Sequence, residues 1–115
     1  MTATFYHAGP RGLDVILPPS ATGAASTASY GAAGVCRRDR VYVTTDLACA
    51  VAFASAVPPN GAGWVYVVNP VDPQPDPDCF ETGLSFEARS AEIISTIRPT
   101  GKQLKRGRAR LRSMA

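Results

Sequence analysis

The side chains that could do chemistry are few. His7, the single histidine, follows Phe5-Tyr6 and precedes the turn residues Ala8-Gly9-Pro10. Tyr42 sits in the run Val41-Tyr42-Val43-Thr44. Asp72, Asp76 and Asp78 alternate with prolines, and Glu92 opens a late apolar stretch. An imidazole can hold hydroxyls or move a proton, an aromatic face can grip a flat cation, and a carboxylate can offset developing positive charge. Each type also has a structural reading. A lone histidine in a strand is commonly structural, Tyr42 alternates with valines as a core aromatic would, aspartates among prolines are ordinary turn residues, and Glu92 suits an edge-strand charge.

The elements that must position these groups read as follows. Thr4–His7 is a short strand ended by turn residues, and Leu13–Leu17 is a brief apolar run stopped by Pro18-Pro19. Residues 20–35 are small and polar without apolar period, as in a mobile loop that contacts substrate. Arg40–Thr44 is a strand, and Asp46–Ser55 a short helix capped by Thr44, Thr45 or Asp46, its buried side formed by Leu47, Ala50, Val51 and Ala54. Trp64–Val68 is apolar throughout, as a strand buried on both faces would be. The proline-rich residues 69–78 are expected to stay out of any ladder, Leu84–Arg89 to be extended, and Ser90–Ile97 to form the last strand.

Charge divides the chain. Residues 101–115 carry six Lys or Arg and no acid, so the +3 net charge conceals a net −3 over residues 1–100. This basic tail offers little apolar surface, so the expectation is a frayed segment beyond a domain spanning residues 1–100. It attracts phosphates or serves as a solubilising terminus. Cys36, Cys49 and Cys79 are odd in number and lack CxxC spacing, which argues against a disulfide framework or zinc site and for small core residues. No basic n-region and no run of about 18 apolar residues occurs, so a cytoplasmic, membrane-free protein without a metal is expected.

Taken in order, these motifs resemble the H-Y-D/E class of ADP-ribosyltransferases, most closely the rifamycin (rifampin) ADP-ribosyltransferase family. The strand end Phe5-Tyr6-His7-Ala8-Gly9 is similar to that family's His-Gly-Thr block. Val41-Tyr42-Val43-Thr44 with Leu47-Ala48-Cys49-Ala50 is similar to its second block. Val65–Pro70 with Asp76-Pro77-Asp78 matches its strand and acidic loop, and Ser85-Phe86-Glu87-Ala88-Arg89 its fourth segment; together they span residues 4–98. The sequence departs from the pattern in two places: the glycine is shifted by one to Gly9, and the carboxylate has alternatives. Asp76 or Pro77 falls opposite the family's aspartates and Asp78 does so after a one-residue slip, while Glu92 lies where the broader class carries its glutamate; the loop pair is favoured.

The resemblance implies an α+β fold, a small split, mostly antiparallel β-sandwich with one or two short helices and NAD as co-substrate between the sheets. It implies that His7 holds the ribose hydroxyls, that the backbone at Ala8 and Gly9 pairs with the nicotinamide amide, and that Tyr42 stacks on the ring, with Thr44 among the cofactor-binding positions. The implied activity is mono-ADP-ribosyl transfer to a rifamycin-like molecule, a protein or a nucleic acid, in a resistance enzyme or a toxin. An NAD glycohydrolase, or an inactive module docking on nucleic acid through the tail, remains open. A remoter relative is the RNA 2′-phosphotransferase family, for which Arg11, Arg37, Arg38 and Arg89 are the available cations.

Overall fold

In a computed structural model, residues 3–17, 40–58, 60–76 and 83–114 are described. The strands are β1 (Phe5–Gly9), β2 (Val41–Thr44), β3 (Trp64–Pro70), β4 (Gln74–Pro75), β5 (Ser85–Ala88) and β6 (Ala91–Ile97). The helices are α1 (Leu47–Ala54) and α2 (Gly101–Met114). All strand neighbours are antiparallel, in the order β4-β5-β2-β1-β3-β6. The molecule is thus α+β, as expected, but its strands form one hydrogen-bonded order rather than two separate sheets. That order narrows at one seam: β1 and β2 share the single register pair Tyr6↔Thr44, whereas β1 and β3 are in register from Phe5↔Val68 to Gly9↔Trp64.

Strand alternation sends side chains to two cores. One face carries Val41, Val43, Tyr66, Val68, Ile16 and Ala91, with Phe5, Leu13 and Phe86 against them. The Leu13–Leu17 run joins this face through Ile16, which exchanges both backbone hydrogen bonds with Ala91. On the other face Ala50 and Ala54 of α1 meet Val65 and Leu104, flanked by Tyr6 and Ala8. Val65 and Tyr66 have no exposed surface, so β3 is buried on both faces as its apolar sequence requires. Helix α1 starts where expected because Asp46 Oδ1 accepts from the Ala48 amide at 2.9 Å.

Two expectations are corrected. The proline-rich segment does enter the sheet: Gln74 and Pro75 pair with Glu87 and Phe86. Prolines are tolerated there because β4 is the edge strand, whose outer side needs no partner. The basic C-terminal segment is a helix and not a frayed tail. Its start is a reciprocal capping box: the Thr100 amide donates to Gln103 Oε1 at 2.8 Å, and the Gln103 amide to Thr100 Oγ1 at 3.2 Å. Its seat is close rather than large. Leu104 is only 7% exposed, and a side chain at Gly107 would lie 2.9 Å from the Val51 carbonyl of α1. Small residues on both helices let the backbones approach, so few apolar side chains suffice.

Residues 20–35, Cys36 and Cys79 lie outside the described residues. Among the described residues no helix is long and apolar enough to cross a membrane, and no group of three His, Cys, Asp or Glu could hold a metal ion.

Candidate functional site

His7 stands at the β1–β2 seam. Its Nδ1 lies 2.8 Å from the Tyr42 carbonyl oxygen. A carbonyl only accepts, so Nδ1 carries the proton and Nε2 is left as the acceptor of a neutral ring. Burial of the imidazole lowers its pKa, and the bond to the Tyr42 carbonyl opposes that shift in part. The ring therefore stays neutral through the physiological range.

Gly9, two residues on, shares the His7 face. A Cβ there would lie 3.3 Å from His7 Nε2 and 3.2 Å from Leu13 Cδ1. Gly9 is buried, and its lack of a side chain gives the His7 ring and Leu13 the room they occupy, which any other residue would crowd. Ala8 points the opposite way and packs against the core under α1. The shifted glycine of the His7-Ala8-Gly9 run therefore falls on the side of the strand where the imidazole is. The chain after Gly9 is held by Tyr66, whose hydroxyl donates to the Pro10 carbonyl and accepts from the Leu13 amide at 3.1 Å. Tyr66 is also the register partner of His7 on β3, so one buried phenol anchors the turn that follows the histidine.

The partner across the seam arrives through its backbone. Because Val41 and Val43 face the core on the His7 side, alternation turns the Tyr42 ring to the opposite face, where its register partner on β5 is Glu87. The structure thus brings His7 to the Tyr42 main chain and not to its ring. Thr44 is buried and acts locally: its Oγ1 donates to the Leu84 carbonyl at 2.9 Å and accepts from the Asp46 amide at 3.1 Å. That places it at the joint between β2, β5 and α1.

The expected carboxylates separate. Asp76 closes β4, where its Oδ2 accepts from Ser85 Oγ at 3.0 Å and its amide donates to the Ser85 carbonyl at 3.0 Å. Its row crosses Ser85 and Thr44 to Tyr6, three strand spacings or roughly 14 Å from β1. Glu92 is exposed on β6 at the other edge. It lies about four residues along from Thr96, which pairs with the Tyr66 partner of His7, so on the order of 15 Å separates it from the imidazole at ordinary strand dimensions. Asp78 lies outside the described residues.

A further carboxylate is nearer the seam. Glu87 is 8% exposed and stands directly across from Tyr42. It lines a cavity of about 340 Å³ with Arg40, Asp72, Gln74, Ala88 and Arg89. The signal was present in the sequence: an acid in the middle of the strand Ser85-Phe86-Glu87-Ala88, whose neighbours pack inward. Cys49 is buried, and burial pushes its thiol pKa up, which suits a small core residue rather than a nucleophile.

No protein-family model matches the chain, and no curated protein is significantly similar to it in sequence.

Proposed function

We propose that the chain is an NAD-dependent mono-ADP-ribosyltransferase of the H-Y-D/E type, with its chemistry at the β1–β2 seam. The observation that carries this reading is the 2.8 Å bond from His7 Nδ1 to the Tyr42 carbonyl. It joins the two motif residues that the resemblance pairs, at the point where the sheet order nearly parts. In this reading the bond from C1′ of the ribose to nicotinamide breaks, its electron pair leaves with the nicotinamide, and an acceptor nucleophile bonds C1′ and gives up its proton. Little nucleophilic help is needed, so the work of the protein is to hold the dinucleotide and place negative charge near the oxocarbenium-like state. His7 Nε2 would accept from a ribose hydroxyl, and the Tyr42 ring would stack on the nicotinamide. Asp76, Asp78, Glu87 and Glu92 are the carboxylates to be distinguished, and Glu87 has the advantage of facing Tyr42. The acceptor is a rifamycin-like small molecule, a protein or a nucleic acid.

The test is nicotinamide release from NAD by the wild-type chain beside His7→Ala, Tyr42→Ala, Asp76→Asn, Asp78→Asn, Glu87→Gln and Glu92→Gln. Because His7 bonds the main chain of residue 42, Tyr42→Ala removes the ring while keeping the imidazole oriented. Release that collapses with His7 and with one carboxylate supports the reading and names the acid. Free ADP-ribose as the only product makes the activity a glycohydrolase. Absence of NAD binding and of turnover, with candidate acceptors present, rejects it.

A further inference from the structure

The cations of α2 are arranged, not merely abundant. Leu104, Gly107 and Leu111 recur at the spacing that lines one side of a helix. Leu104 and Gly107 are buried toward α1, and Leu111 is half-buried. The adjacent line, Lys105, Arg108 and Arg112, is exposed. At 1.5 Å rise per residue these three stand about 4.5 and 6 Å apart along the axis.

The line does not end with the helix. Arg108 Nη1 would lie 3.4 Å from a side chain at Gly61. Arg11 Nε donates to the Ala62 carbonyl at 2.8 Å, and the Arg98 guanidinium stands 4.6 Å over the Trp64 ring. The guanidiniums of Arg11, from the turn after β1, and Arg108, from the middle of α2, therefore flank residues 61–62, whereas Arg98 lies over Trp64 on the other face of the sheet. No carboxylate among the described residues pairs with these five cations. Among the described residues the one ion pair of α2 joins Arg110 to Asp46 at 3.4 Å, on a different side of the helix.

We propose that Lys105, Arg108 and Arg112, continued by Arg11, form a docking track for the phosphodiester backbone of a nucleic acid. A row of exposed cations matches a polyanion of regular charge better than a single anion. Arginine forks also suit phosphate oxygens. A membrane surface fits poorly: an interfacial helix buries an outward apolar face, and the apolar line of α2 is spent against α1. The track carries no base-reading groups, so binding is sequence-independent and salt-sensitive. It is independent of NAD cleavage at the seam.

The experiment is fluorescence anisotropy with a labelled 20-base-pair DNA duplex and a labelled 20-nucleotide single-stranded RNA, each titrated at several salt concentrations. Two charge-matched variants of the full chain are compared: Lys105→Gln/Arg112→Gln on the track, and Lys102→Gln/Arg106→Gln on the neighbouring line. Glutamine preserves helix propensity, and thermal unfolding verifies the fold. For the wild type, binding should weaken with salt with a logarithmic slope of about −4 on duplex, as expected for roughly four phosphate contacts. The track variant should lose at least tenfold in affinity and flatten the slope by about 2, while the neighbouring pair loses less than about threefold. Nicotinamide release should be unchanged in both. Equal losses from the two pairs, wild-type binding to phosphatidylserine vesicles but not to either oligonucleotide, or no binding at low salt would each overturn the track.

Discussion

The β1–β2 seam and the α1–α2 layer are built on opposite plans. At the seam two strands share one register pair, and an imidazole reaches a main-chain carbonyl. In the helical layer alanines on α1 and a glycine on α2 bring two backbones nearly into contact. The first arrangement holds a buried, hydrogen-bonded imidazole between neighbouring strands. The second holds an otherwise strongly polar helix in place and leaves a cavity of about 490 Å³ lined by Leu47, Val51, Arg106, Gly107 and Arg110 beside the contact. The difference predicts that substitutions at the seam change activity more than stability, and that those in the helical layer do the reverse.

The largest expected effect is on chemistry. His7→Ala should reduce nicotinamide release at least about 100-fold, with a melting temperature close to wild type. A variant that unfolds instead would show that the imidazole is a structural strut and would erase the contrast.

Next is the helical layer. Gly107→Ala should destabilise by about 1–3 kcal/mol in urea unfolding, because the new methyl meets the Val51 carbonyl. Gly101→Ala, with nothing within 4 Å of the added methyl, should be neutral or stabilising by up to about 1 kcal/mol. If both glycine substitutions stabilise, the two helices are not as closely seated as described. Neither should alter the apparent KM for NAD.

Tyr66→Phe tests whether the two regions are separable. It leaves the Pro10 carbonyl and Leu13 amide without their phenol partner, at a cost of about 1–2 kcal/mol. It should also raise the KM for NAD by loosening the turn beyond Gly9. Loss of stability without a change in KM would confine Tyr66 to the core. Asp46→Ala should cost about 1 kcal/mol through the lost α1 cap and leave nicotinamide release intact.

The smallest effect is on pH dependence. His7 has its pKa lowered by burial, so the unfolded chain binds more protons than the folded one below the ordinary value near 6.5. Stability therefore falls as pH drops from about 6.5 toward the folded value and is flat above it. Chemical unfolding at pH 7.5 and 5.5 should show this loss in the wild type and a smaller one in His7→Gln.

Much of the framework was legible along the chain. Val41–Thr44 and Trp64–Val68 carry their own strand signals, and Asp46 before an alanine-rich run marks a helix start. His7 and Tyr42 were singled out by motif order, and a bond between them now stands beside that reading. Other features were not legible, for stated reasons. Pro75 belongs to a ladder because edge position, a tertiary property, removes the objection to proline. The C-terminal helix was underestimated because its apolar residues are few. The Thr100–Gln103 cap is seen in the structure, and the closeness allowed by Gly107 depends on which helix lies opposite. Glu87 became prominent only when the β2–β5 register set it across from Tyr42.

What the residues determined by themselves was local: which segments extend, where α1 begins, and that charge gathers after Thr100. What only the tertiary structure decided was relational. It set which face each side chain leaves, which carboxylate lies near the seam, and which cations align with Arg11. Local propensity depends on neighbours within a few residues, whereas register, facing and close approach depend on groups far apart in the chain. No single segment encodes those until the sheet and its helices are assembled.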